Sequence, residues 1–153
     1  MPPVIKAFET IGMATVARSA EQAKDLLFLR PGDGITMNRD RLLADAKAKA
    51  LALAENYVPP QKPLVSLPGK SALAALSLAV DGLRRVGKAT PHDVVVGKVL
   101  ASVISGGNTD LTDTLGEDDL LALERDAVVS LARHPASIAR VAHMLKTGKP
   151  LRN

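Results

Sequence analysis

Three aromatic residues, Phe8, Phe28 and Tyr57, are all that this chain can contribute to an aromatic core. With aromatics at 2% and apolar residues at 46%, any interior must consist of Leu, Val, Ile and Ala. Such side chains pack well between helices, whereas β sandwiches draw on aromatic and β-branched pairs. The length of 153 residues is enough for one ordinary domain or two small subdomains, and a charged fraction of 24% is that of a folded globular chain. The shortage of aromatic faces also excludes stacking platforms for single-stranded nucleic acid.

The chain has no Cys, which removes disulfides, thiolate metal sites and thiol nucleophiles. The start, Met-Pro-Pro-Val-Ile-Lys, has no basic segment followed by an apolar stretch, and the longest nearly apolar run, Ser71 to Val80, is half of what a bilayer requires. A cytoplasmic protein with no membrane span is the expectation. The formal net charge is +4, but 20 basic and 16 acidic residues are interspersed, which reads as a solvated surface rather than a nucleic-acid footprint.

The periodicity predicts an all-α chain. Four Pro residues and a Gly between Tyr57 and Gly69 read as a linker. The expected division is 1–57, 58–69 and 70–153, with three helices before the linker and a four-helix subdomain after it. The first helix carries Val4, Phe8 and Ile11 and stops at Gly12. In the second, a capping box from Ser19 to Gln22 precedes a buried stripe of Ala23, Leu26 and Leu27. A third, about Asn38 to Asn56, puts Leu42, Ala46, Ala50 and Leu53 on one face. After the linker, Leu73, Leu76, Val80 and Leu83 form a stripe ending at Gly87. Thr90-Pro91-His92-Asp93 supplies an N-cap, a first-turn Pro and an acid, so the β-branched run that follows is read as a helix rather than a strand. Thr114 with Glu117 opens the next helix, with Leu120, Leu123, Ala127 and Leu131 inward. Pro135 starts the last, with Ile138, Val141, Ala142 and Leu145 buried and Gly148 as its stop.

Chemistry-bearing motifs are sparse. His92, His134 and His143 have no metal-ligand spacing and are given no role. Asp110, Asp113, Glu117, Asp118 and Asp119 lack the spacing and central Gly of a calcium loop, and are read as carboxylates at a helix start. Gly69-Lys70-Ser71 resembles the end of a phosphate loop, but Leu64 stands where the first Gly of that motif belongs. From Arg133 onward, Arg133, Arg140, Lys146, Lys149 and Arg152 are accompanied by no acid in sequence. This stretch is either a docking surface for phosphate or an acidic partner, or a set of cations favouring a helix C-terminus; the latter is preferred.

Three stretches resemble a known family: AFETIGMATVARSAEQAKDLLFLRPGDGITMNRDRLLADAKAKALALAENY, the PGKSALAAL segment, and the terminal HMLKTGKPLRN. Together they look like the C-terminal end of the bacterial 3-hydroxyacyl-CoA dehydrogenase/enoyl-CoA hydratase fusion enzymes of fatty-acid β-oxidation. The resemblance implies a nucleotide-binding dehydrogenase part, then a crotonase-type hydratase part, then a helical tail. It makes residues 1–57 the last helices of a crotonase domain. The family's catalytic residues belong upstream of residue 1, so no catalytic residue, no metal ligand and no cofactor is assigned to this segment; NAD and CoA thioesters would be used by the parent enzyme.

The partners implied are the remainder of the parent polypeptide, a neighbouring protomer, and acyl-CoA in the intact enzyme. Crotonase terminal helices cover the acyl-CoA site, which makes Arg39, Arg41, Lys47 and Lys49 the nearest cations to a CoA phosphate. The competing reading is a set of solvated charges with i,i+4 pairs such as Asp45 with Lys49. Taken together, the chain is expected to be a non-catalytic portion of a β-oxidation enzyme that self-associates when isolated. The alternative is a free-standing helical interaction module with a basic C-terminal tail.

Overall fold

The computed structural model describes all 153 residues and contains seven α-helices and no strand. They are α1 (Pro2–Gly12), α2 (Ala20–Asp25), α3 (Leu42–Ala54), α4 (Gly69–Arg85), α5 (Pro91–Ser105), α6 (Glu117–Ala132) and α7 (Pro135–Thr147). A short 3-10 turn, Arg39–Arg41, leads into α3. No helix is long and apolar enough to cross a membrane.

The chain separates into two compact units, one made of Met1–Ala14 with Lys62–Asn153, the other of Thr15–Gln61. Neither coincides with the expected 1–57, 58–69 and 70–153 division. The reason is that α1 packs on α5, where Gly12 faces Leu100, and so joins helices that lie far along the chain.

The first unit is organised around α4 and α5. Gly69, Ala72, Leu76 and Val80 of α4 and His92, Ala101 and Ser105 of α5 are buried. Small residues on the facing surfaces let the two axes approach closely: a Cβ at Gly97 would lie 3.1 Å from a Val80 methyl. The start of α5 forms the expected capping box, with the Asp93 amide donating to Thr90 Oγ1 at 3.1 Å and the Thr90 amide donating to Asp93 Oδ2 at 2.8 Å. Gly87, at φ +73°, follows the end of α4 as its sequence position required.

The Pro-rich stretch is not a free tether along its whole length. From Lys62 onward it is held to the first unit by an antiparallel bridge between Val65 and Leu115, by Ser66 Oγ donating to the Asp113 carbonyl, and by a 2.9 Å ion pair between Lys62 and Asp118. The Lys62 ammonium has a raised pKa, chiefly through its hydrogen bond to Asp118. The next helix starts two residues later than expected: Gly116 is its N-cap, and Asp119 Oδ2 accepts from the Gly116 amide at 2.9 Å. Thr114–Glu117 and Gly116–Asp119 have the same three-residue spacing, and only the second leaves Leu115 free to pair with Val65. Leu120, Leu123, Ala127 and Leu131 are half-buried.

In α7 the expected burial of Ile138, Val141, Ala142 and Leu145 is not found; all four are exposed, Leu145 at 83%. The helix is instead held through its polar residues. Within the second unit, Ser19 caps α2 as expected, but the Gln22 side chain accepts from the Arg18 amide rather than from Ser19. The helix ends at Asp25 and Leu27 takes a positive φ of 63°, which leaves Leu27 75% exposed instead of in a buried stripe. In α3, Leu42 and Leu53 are 55% and 61% exposed, and Ala46 and Ala50 are exposed with them. The expected apolar face exists, but nothing covers it; no residue from Thr15 to Gln61 is buried.

Candidate functional site

The densest polar cluster joins the start of α5 to α7 and the chain's last residues. Arg140 Nη2 lies 2.7 Å from Asp93 Oδ1 and 3.2 Å from Thr90 Oγ1, and Arg140 Nε donates to Asn153 Oδ1 at 2.7 Å. Asn153 Nδ2 donates to the Ala136 carbonyl, and the Asn153 carbonyl accepts from the His92 amide. Arg152 reaches the Lys88 carbonyl at 3.0 Å and lies 3.9 Å from Asp93 Oδ2. The basic C-terminal stretch is therefore not unopposed: the acid that meets it, Asp93, lies 47 residues before Arg140 and was invisible to a count along the tail. Burial pushes the Asp93 carboxyl up, but hydrogen bonds from Thr90 and Arg140 outweigh it and hold the group below its ordinary range.

His92 sits beneath this cluster, 3% exposed, with its ring 4.5 Å from that of His134. Its Nε2 lies 2.8 Å from Ser137 Oγ, while Nδ1 is buried with no hydrogen-bond partner. Burial lowers the His92 pKa, and the positive charge of Arg140 and the neighbouring His134 lower it further against the pull of Asp93. A Ser–His pair can serve as nucleophile and base when an acid orients the second ring nitrogen. Here the nearby acid, Asp93, is committed to Thr90 and Arg140, so His92 and Ser137 form a structural contact.

His134 also has a local task, accepting the Ala136 amide on Nδ1 as the N-cap of α7. The acidic stretch before α6 is likewise spent on turns and caps. Asp113 accepts the Asp110 amide, Asp110 accepts the Leu111 amide, and Asp118 pairs with Lys62. No group of three or more potential metal-ligating side chains is found. Gly69 serves a close approach, since a Cβ there would run into the Thr109 carbonyl oxygen, and Ser71 Oγ donates to the Pro68 carbonyl.

The four cations suggested as CoA-phosphate contacts lie on the 3-10 turn and α3 of the second unit. Arg41 is paired with Asp45 at 3.3 Å, which replaces the expected Asp45–Lys49 pair. Lys47 and Lys49 are two residues apart on a helix and project to different sides. Lys47 and Lys49 therefore do not converge on one point, while Arg39 and Arg41 lie on the turn that precedes the helix. Two shallow clefts lie on the surface of the first unit. One of 280 Å³ is lined by Ala132, Ser137, Ile138 and Val141, and one of 320 Å³ lies between α5 and α6 with Glu117 and Glu124 on its wall. Neither holds a Gly-rich loop; Gly106 and Gly107 have positive φ but are filled by Leu115, Leu67 and Leu123.

The fold thus defines an all-helical segment whose polar centre is a lock between elements and whose second unit has no covered core. The whole chain is 42% identical over 154 aligned positions to a probable 3-hydroxyacyl-CoA dehydrogenase of Bacillus subtilis (strain 168), and it spans 20% of that protein's length. No family model matches the chain, and no solved structure matches it.

Proposed function

We propose that this chain is a non-catalytic portion of a longer 3-hydroxyacyl-CoA dehydrogenase/enoyl-CoA hydratase of fatty-acid β-oxidation, acting in the cytoplasm. The observation that carries the reading is identity along the entire chain to a protein named as a dehydrogenase, of which the chain spans only a fifth. In this reading NAD and the acyl-CoA thioester are bound by the rest of the polypeptide. This segment contributes helices that cover the acyl-CoA site and support assembly.

The exposure of the second unit supports that role. Val16, Leu27, Met37, Leu43 and Val58 are each at least 75% exposed, an arrangement that water disfavours by about 25 cal/mol for every Å² of apolar surface left uncovered. The free-standing module with a basic tail gains less support, because Arg140 and Arg152 are turned onto Asp93.

An antibody against HMLKTGKPLRN, used on source-cell lysate, tests the proposal. A polypeptide several times the 16.1 kDa of this chain is expected. A band at 16.1 kDa alone would overturn the parentage, as would enzyme-like hydration of an enoyl-CoA by the isolated chain.

A further inference from the structure

Along α3, a step of about 100° per residue places Leu51, 62% exposed, on the side opposite Leu42, and gathers Leu42, Leu43, Ala46, Ala50 and Leu53 in a stripe on the other side. Every one of them is exposed, Leu43 at 82%. The order is nearly palindromic, with leucines at the two ends and alanines between them. In an antiparallel pair of such helices, Leu42 of one meets Leu53 of the other, and Ala46 meets Ala50.

The charges bordering the stripe follow the same order. Lys49 lies along one edge with Asp45 one turn before it, and residues on the same edge face each other across an antiparallel pair. The register that joins Leu42 to Leu53 sets Asp45 of each helix opposite Ala50 of its partner, one residue from Lys49 and within side-chain reach of it, which allows two equivalent ion pairs. Within a single copy Asp45 Oδ1 is paired with Arg41 at 3.3 Å and Asp45 Oδ2 accepts from the Thr36 hydroxyl at 3.1 Å, while Lys49 has no ion pair. Lys47 borders the other edge beside the axis of such a pair and meets its own copy there, a single like-charge contact against two favourable ones.

From this arrangement we infer that α3 is a self-complementary interface through which two copies of this chain pair antiparallel about a two-fold axis. A 13-residue helix is about 20 Å long, so the contact is at the small end of specific interfaces. The inference specifies the assembly role proposed above and rests on that reading only for its place in a longer enzyme. A long parent in lysate together with a chain that stays monomeric would overturn the pairing and leave the parentage standing.

The test is sedimentation equilibrium of the 153-residue chain at tens of micromolar, with helix content followed by circular dichroism. A species of twice 16.1 kDa is expected for the natural sequence. Ala46→Glu with Ala50→Glu retains good helix formers and is expected to give the monomer with unchanged helicity. Asp45→Lys or Lys49→Asp alone each creates two like-charge contacts and is expected to weaken the dimer about tenfold, whereas the double exchange restores it. Lys47→Ala is expected to tighten it. A monomeric natural chain, or a dimer indifferent to Ala46→Glu with Ala50→Glu, overturns the inference. So does a double exchange that fails to restore pairing while helicity is retained.

Discussion

Arg140 of α7 and Asp93 of α5 meet at 2.7 Å across 47 residues of chain, and they are the centre on which the last helix is held. The apolar side chains of α7 expected to anchor it are exposed, so the hydrogen bonds that Arg140 donates to Asp93, Thr90 and Asn153 are what fix its position. Arg140→Ala leaves Asp93, Thr90 and Asn153 without their shared donor. A loss of about 1–3 kcal/mol in urea unfolding is expected. Arg140→Lys is expected to restore little, because one ammonium cannot reproduce the planar fork that serves several acceptors at once.

The acid sensitivity of the same region follows from two groups with lowered pKa. His92 ordinarily titrates near 6.5, and burial lowers that value in the fold, so the unfolded chain binds the extra proton first as pH falls. The stability tied to neutral His92 is complete above 6.5 and declines as pH falls from there toward the lowered folded value. Asp93, lowered from 3.8, adds a second loss that begins only below that value. Melting temperatures measured from about pH 7.5 to about pH 5 are expected to fall more steeply for the natural chain than for His92→Gln, which has no ring to protonate. Parallel slopes for the two chains would refute this.

How much of this was legible in the sequence depended on distance along the chain. Thr90 and Asp93 formed their box because both partners lie within one turn, and Gly87 followed its helix for the same local reason. Helix was the right reading of the β-branched run after Asp93, since its start signal and its 3-4 spacing agreed. Spacing could not tell whether Leu42, Ile138 or Leu145 would be covered, because burial requires a partner surface and periodicity only shows that a face is ready for one. The Arg140–Asp93 pairing and the contact of His92 with Ser137 join residues more than 40 positions apart, and no local motif announced them. At the start of α6 two overlapping three-residue spacings competed, and the bridge between Val65 and Leu115 decided between them.

Two glycines with similar backbone angles should respond very differently to a methyl group. Gly106, at φ +92°, has Thr109 Oγ1 at 2.9 Å and Leu115 Cδ1 at 3.0 Å from where a Cβ would stand. Gly148, at φ +68°, has nothing within 4 Å. Gly148→Ala therefore carries only the left-handed backbone cost of about 1 kcal/mol. Gly106→Ala adds displacement of packed neighbours, and a total loss of about 2–4 kcal/mol is expected in the same unfolding assay. Equal losses would mean that the packing around Gly106 yields freely.

Local stability should divide along the two units. In α4 and α5 the amides are protected by a face containing Ala72, Leu76, Val80 and Ala101, whereas from Thr15 to Gln61 no side chain is buried, so opening there exposes little new apolar surface. Hydrogen exchange of the chain at low micromolar concentration, where α3 pairing is weak, is expected to show α2 and α3 exchanging far ahead of α4 and α5. Raising the concentration to hundreds of micromolar should slow exchange in α3 and leave α4 and α5 unchanged, because only α3 gains a covering surface. If α2 and α3 were as protected as α4 and α5 at the lowest concentration, the exposure of the second unit would not describe the chain in solution.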